Sequence, residues 1–90
     1  MAVGRAERRQ DREASFGEVF GDRSGIALDL FEIVELAWHD CYGEVAPPSG
    51  VESDILTVSQ GDIDGLVKAC LLALHDWRDL RLMASELGDV

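Results

Sequence analysis

Two near-mirrored triplets, Trp38-His39-Asp40 and His75-Asp76-Trp77, stand with Cys41 and Cys70 as the residues whose types could do chemistry. Two histidines and two cysteines would suit a tetrahedral zinc ion, and a cysteine near histidine and aspartate would suit a thiolate nucleophile. Spacing argues against zinc, because closed sites of that type present ligands in pairs such as C-x₂-C or H-x₃-H, and the chain holds neither. Glu35 with His39, and His75 with Asp79, are i, i+4 pairs that with Glu32 could face a divalent ion between helices. The Glu-x-x-His step of di-metal bundles is missing, however, and the ordinary role of such pairs is a surface contact of about 0.2–0.5 kcal/mol. Cys41 and Cys70 are both expected on apolar faces, away from the electropositive, partly exposed setting that lowers a thiol pKa. Asp62-Ile63-Asp64-Gly65 echoes the middle of a calcium loop, but Gln60 and Leu71 stand where that loop needs carboxylates. The expectation is therefore no catalytic residue, no metal and no cofactor, with a metal- or thiol-dependent enzyme kept as one alternative.

The elements that carry these residues are helical. From Ser59 to Leu87, the apolar residues Ile63, Leu66, Val67, Cys70, Leu74 and Trp77 recur at three- and four-residue steps, the period of one helix face. One helix starting near Gln60 is predicted, extending on the order of 40 Å at 1.5 Å per residue. Ser24 is a plausible N-cap for an earlier helix whose Ala27, Leu30, Phe31, Val34, Ala37, Trp38 and Cys41 share an arc, with Gly43 as its C-terminal stop. Pro47-Pro48 makes a stiff connection. Ser49 and Glu52 then have the spacing of a capping box, opening a short helix to about Val58. Residues 1–23 alternate charges and show only Phe16, Val19 and Phe20 as an apolar cluster, which reads as a flexible tail with at most one docking turn. The predicted fold class is all-α: a three-helix domain over residues 24–90, two shorter helices packed on one long C-terminal helix, behind that tail.

Charge is unevenly spread. The net charge is −10; residues 1–23 hold five arginines and five acidic residues, whereas from residue 24 onward three basic residues face 13 acidic ones. Such a body repels nucleic-acid phosphates and anionic membranes, since it lacks the basic patch that counterion release requires. There is no transmembrane run and no signal-peptide core, so a cytoplasmic location with free thiols is expected. The absence of Asn and the single Lys resemble the bias of a GC-rich bacterial genome.

Function follows from what the predicted helices cannot cover. Leu71, Leu72, Leu80, Leu82 and Met83 fall off the main face of the long helix, and a helix apolar on several sides is usually buried on several. Those five residues are the expected interface of an adaptor or regulatory subunit that forms a homodimer or binds a helical partner, although singly exposed leucines are also ordinary. The alternative is an acidic inhibitor, such as an immunity protein, antitoxin or nucleic-acid mimic, that masks a basic protein with Asp29, Glu32, Glu35, Asp40, Asp62 and Asp64.

Overall fold

The computed structural model describes residues 4–88 and is all-α, with no strand among the described residues. Four helices follow in order: α1 (Arg5–Phe20), α2 (Ser24–Tyr42), α3 (Ser49–Ser59) and α4 (Ile63–Gly88), with a 3₁₀ turn at Gly21–Arg23 between the first two. The long C-terminal helix packs on the others, and α3 lies along it. No described helix is long and apolar enough to cross a membrane.

Residues 5–20 correct the expected flexible tail, of which residues 1–3 lie outside the described residues, as do residues 89 and 90 of the expected domain. Three apolar residues are too few to hold a helix, but Arg8 and Arg12 continue their stripe at four-residue steps to Phe16 and Phe20. Phe16 is fully buried, edge-to-face with Phe31 at 5.5 Å between ring centroids and tilted against Phe20 at 5.7 Å. Arg12 stacks over the Phe31 ring, its guanidinium carbon 4.4 Å from the centroid, so the aromatic cluster and the charged end of the stripe meet.

Docking of α1 turns α2 away from its predicted orientation. Its buried residues are Ala27, Leu28, Phe31, Val34, Glu35 and Trp38, while Leu30 and Ala37 are only half-buried and Cys41 is exposed. Gly43 ends α2 as expected, at φ 74° with its N–H donating to the His39 carbonyl, a left-handed position where a side chain is strained. Ser49 does not cap α3: it is the first helical residue, after Pro48, whose carbonyl accepts from the Glu52 N–H at 3.0 Å, and the Glu52 carboxylate accepts from Arg12 Nε at 2.6 Å instead of completing a box.

The α3/α4 corner is tight. Ser59 is buried and its carbonyl lies where a Cβ on Gly65 would be, so only glycine fits at that position. Asp62 caps α4, its carboxylate accepting from the Gly65 N–H at 3.3 Å, and the helix starts at Ile63 rather than near Gln60.

The predicted single long helix is interrupted. Asp76 is extended (φ −160°, ψ 103°) within α4. Its carboxylate accepts from the Arg78 N–H at 3.0 Å, as an N-cap does, and starts a second helical segment. Carbonyls released upstream are answered by Tyr42, whose hydroxyl lies 2.9 Å from the Ala73 oxygen and 3.1 Å from the Leu74 oxygen and donates its one proton between them. Burial pushes the Tyr42 hydroxyl pKa up, which keeps it a donor. Tyr42→Phe should lower the unfolding free energy by about 1–2 kcal/mol in urea titration, because the freed carbonyls lose their donor.

The buried stripe of α4 is Leu66, Ala69, Cys70, Ala73, Leu80 and Ala84. Leu80, assigned above to an interface, is fully buried, and that assignment is corrected. Alanines at 69, 73 and 84 let neighbouring helices approach closely, which centres the buried face on small residues and leaves Val67 and Trp77 on its exposed flanks.

Candidate interaction surface

Helix α2 is apolar over a wider sector than α1 and the core cover. Along its uncovered edge Leu30 and Ala37 are separated by one heptad, as are Ile26 and Ile33, and Ile33 is 63 % exposed. Beside it the N-terminal half of α4 presents Val67, Leu71 and Leu74, with Leu71 also 63 % exposed. Between the two helices runs a groove of about 170 Å³ lined by Leu30, Ile33, Val34, Ala37, Val67, Cys70, Leu71 and Leu74. No lining residue carries a charged or amide side chain. The groove can bury apolar side chains of a partner.

The expected interface residues do not form one surface. Leu71 lines the groove; Leu72 is half-buried against the core; Leu80 is inside. Leu82 (66 % exposed) and Met83 (44 %) follow the break at Asp76, Leu82 in a separate open cleft with Trp77, Arg78, Arg81 and Ser85. Ile26 and Ile33 lie outside the arc predicted for α2, and their exposed ridge is signalled by the heptad pairs Ile26–Ile33 and Leu30–Ala37; the exposed Leu36 lies apart from it, beside Arg8, Glu35, His39 and Val45.

The charged residues divide into two groups. Glu35 is buried, with Arg8 Nε at 2.7 Å from Oε2 and Arg12 at 2.8 Å from the same oxygen. Burial alone would push its carboxyl pKa up, but the hydrogen bonds from Arg8 and Arg12 outweigh that and hold it below the ordinary carboxylate range. Arg9 pairs with Asp29 at 2.8 Å and with Glu32 at 3.4 Å. Three of the six carboxylates read as a contact set for a basic protein are thus engaged by α1, and Asp62 caps α4; Asp40 and Asp64 stay exposed on the surface. Every buried side-chain nitrogen and oxygen among the described residues has a hydrogen-bond partner.

His39 and His75 are both exposed, on α2 and α4, and no group of three or more His, Cys, Asp or Glu side chains among the described residues is arranged to hold a metal ion. The cysteines differ from each other. Burial pushes the Cys70 thiol up to about 12, so it stays protonated at neutral pH, while Cys41 is exposed, correcting its expected burial. A thiol-specific reagent should therefore modify one cysteine of the native chain, Cys41, and the second only after unfolding; peptide mapping by mass spectrometry reads which.

Comparison of the chain with protein-family models, with curated proteins and with solved structures finds no match.

Proposed function

We propose that this chain is a small cytoplasmic protein–protein interaction module, an adaptor or regulatory subunit, that engages its partner through the α2/α4 groove. The observation that carries the reading is the groove lining: Ile33 and Leu71 stand largely in water on two helices whose other faces are occupied by α1, α3 and the core. Covering each of these side chains on docking is favourable by up to about 1.5–3 kcal/mol. Exposed acidic side chains at the rim contribute orientation and association rate more than affinity. The role is binding, without catalysis.

An Ile33→Glu, Leu71→Glu double variant provides the test. Both side chains are exposed, so circular dichroism and thermal unfolding of the variant should match the parent closely. Capture from native lysate with mass-spectrometric identification, and light scattering on the purified chain, should show partner binding or self-association weakened by about tenfold or more. Equal capture and equal self-association by parent and variant would remove the groove from the function. Leu72, by contrast, is unsuited to such a test, because it packs against the core.

A further inference from the structure

We propose that the occupant of the α2/α4 groove is an amphipathic helix of another protein, its apolar stripe flanked by lysines or arginines; this rests on the groove being the interaction site. Shape is the first argument. Two roughly adjacent helices with apolar edges form a trough, and a third helix laid along it inserts side chains at i, i+3, i+4 and i+7. A trough lined by Ile33, Ala37, Val67 and Leu71 offers such a helix a purely apolar seam.

Charge selects the flanks. Three of the N-terminal arginines are engaged by this chain's own acids: Arg8 and Arg12 by the buried Glu35, Arg12 also by Glu52, and Arg9 by Asp29 and Glu32 at the surface. Those pairs neutralise one another and leave the formal charge of −10 to the remaining side chains. Along the two helices that form the groove, Asp40 stands one turn beyond Ala37 and Asp64 one turn before Val67, both exposed; Lys68 is exposed beside Val67, and Arg78, one turn beyond Leu74, is paired with Asp76. A second copy would bring the same negative surface onto its own, and like charges across an interface are unfavourable. A helix with basic flanks meets opposite charge and is steered toward the site from a distance.

Two synthetic helical peptides of about 18 residues, long enough to hold helix on binding, make the probe. Both carry leucines at i, i+3, i+4 and i+7; one has lysines on the flanks and the other glutamates. Fluorescence anisotropy with the full chain should show the lysine peptide binding at least about tenfold tighter, with an association rate that falls steeply as salt is raised. Asp40→Lys, Asp64→Lys should narrow that preference, and Ile33→Glu, Leu71→Glu should abolish binding of both peptides. Equal affinity for the two peptides, lost in the Ile33/Leu71 variant, would overturn the basic partner while leaving the groove as a docking site. Self-association of the parent that the same variant abolishes would make a second copy the occupant and overturn the proposal. Lysine-peptide binding that the Ile33/Leu71 variant leaves intact would place the contact on the acidic surface at large, and the groove reading would fall with it.

Discussion

Glu35→Ala should destabilise the chain by about 3–5 kcal/mol, measured by urea titration, because it removes the acceptor of a buried ion-pair cluster and leaves buried positive charge of Arg12 uncompensated. Glu35 is the shared acceptor of Arg8 and Arg12, and its side chain is 2 % exposed while those of the arginines are 18 % and 8 %. Without it Arg12 keeps Glu52, at 2.6 Å, but the guanidinium nitrogen that faced Glu35 loses its acceptor in a place where water barely reaches. For a domain whose total stability is on the order of 5–15 kcal/mol, that loss is enough to release α1. Hydrogen exchange should locate the effect, with protection lost first over Arg5–Phe20 and retained in α3 and α4. Replacing Arg8, Arg12, Glu35 and Glu52 together by Met, Met, Leu and Gln should recover most of the stability, since the loss arises from uncompensated charge rather than from the net worth of the pairs.

The same cluster fixes the direction of the pH response. The Glu35 carboxyl is held below the ordinary carboxylate range by Arg8 and Arg12, against the upward push of its burial. Its contribution to stability is therefore fully present above the unfolded-state carboxylate pKa and is lost as pH falls through the lower folded value. In acid α1 should be the first helix to undock. In Glu35→Gln that part of the pH dependence should be gone, and a thermal melt series across the acid range would show the flattening; an unchanged acid response would mean that other carboxylates set it.

Helices α1 and α3 differ in whether the forces that hold them leave a local pattern in the sequence. The short helix after Pro47-Pro48 and the stop at Gly43 rest on local signals, and both are found where expected. The docking of α1 is not local: Arg8 reaches 27 residues ahead to Glu35 and Arg12 reaches 40 ahead to Glu52. Counted as a tail, residues 5–20 look too polar to fold; counted with arginines as binding residues, the stripe Arg8, Arg12, Phe16, Phe20 is continuous. The break in α4 has the same origin. Asp76 can cap a new helix only because Tyr42, 34 positions earlier in the numbering and on another helix, supplies a donor to the freed carbonyls. As for the candidate site, Leu71 is legible as an unmet apolar residue; its companions on α2 carry a heptad signal, but which edge of that helix stays in water is decided by α1 taking the other.

Leu80→Ala against Leu71→Ala turns that distinction into a measurement. The sequence offers no reason to treat these leucines differently: both lie on the same helix, off the line drawn through its largest residues. In the structure Leu80 is wholly buried beyond the break and Leu71 stands 63 % in water at the groove. Truncating Leu80 should cost about 2–5 kcal/mol, from lost burial together with the cavity left behind. Truncating Leu71 should change stability by no more than about 0.5 kcal/mol, since there is little packing to lose. Binding should respond in the opposite order. A Leu71→Ala chain that melts like the parent but binds its partner more weakly places the residue at an interface. Equal losses of stability in both variants would mean that the exposed flank of α4 belongs to the core, and the groove would then have no surface to offer a partner.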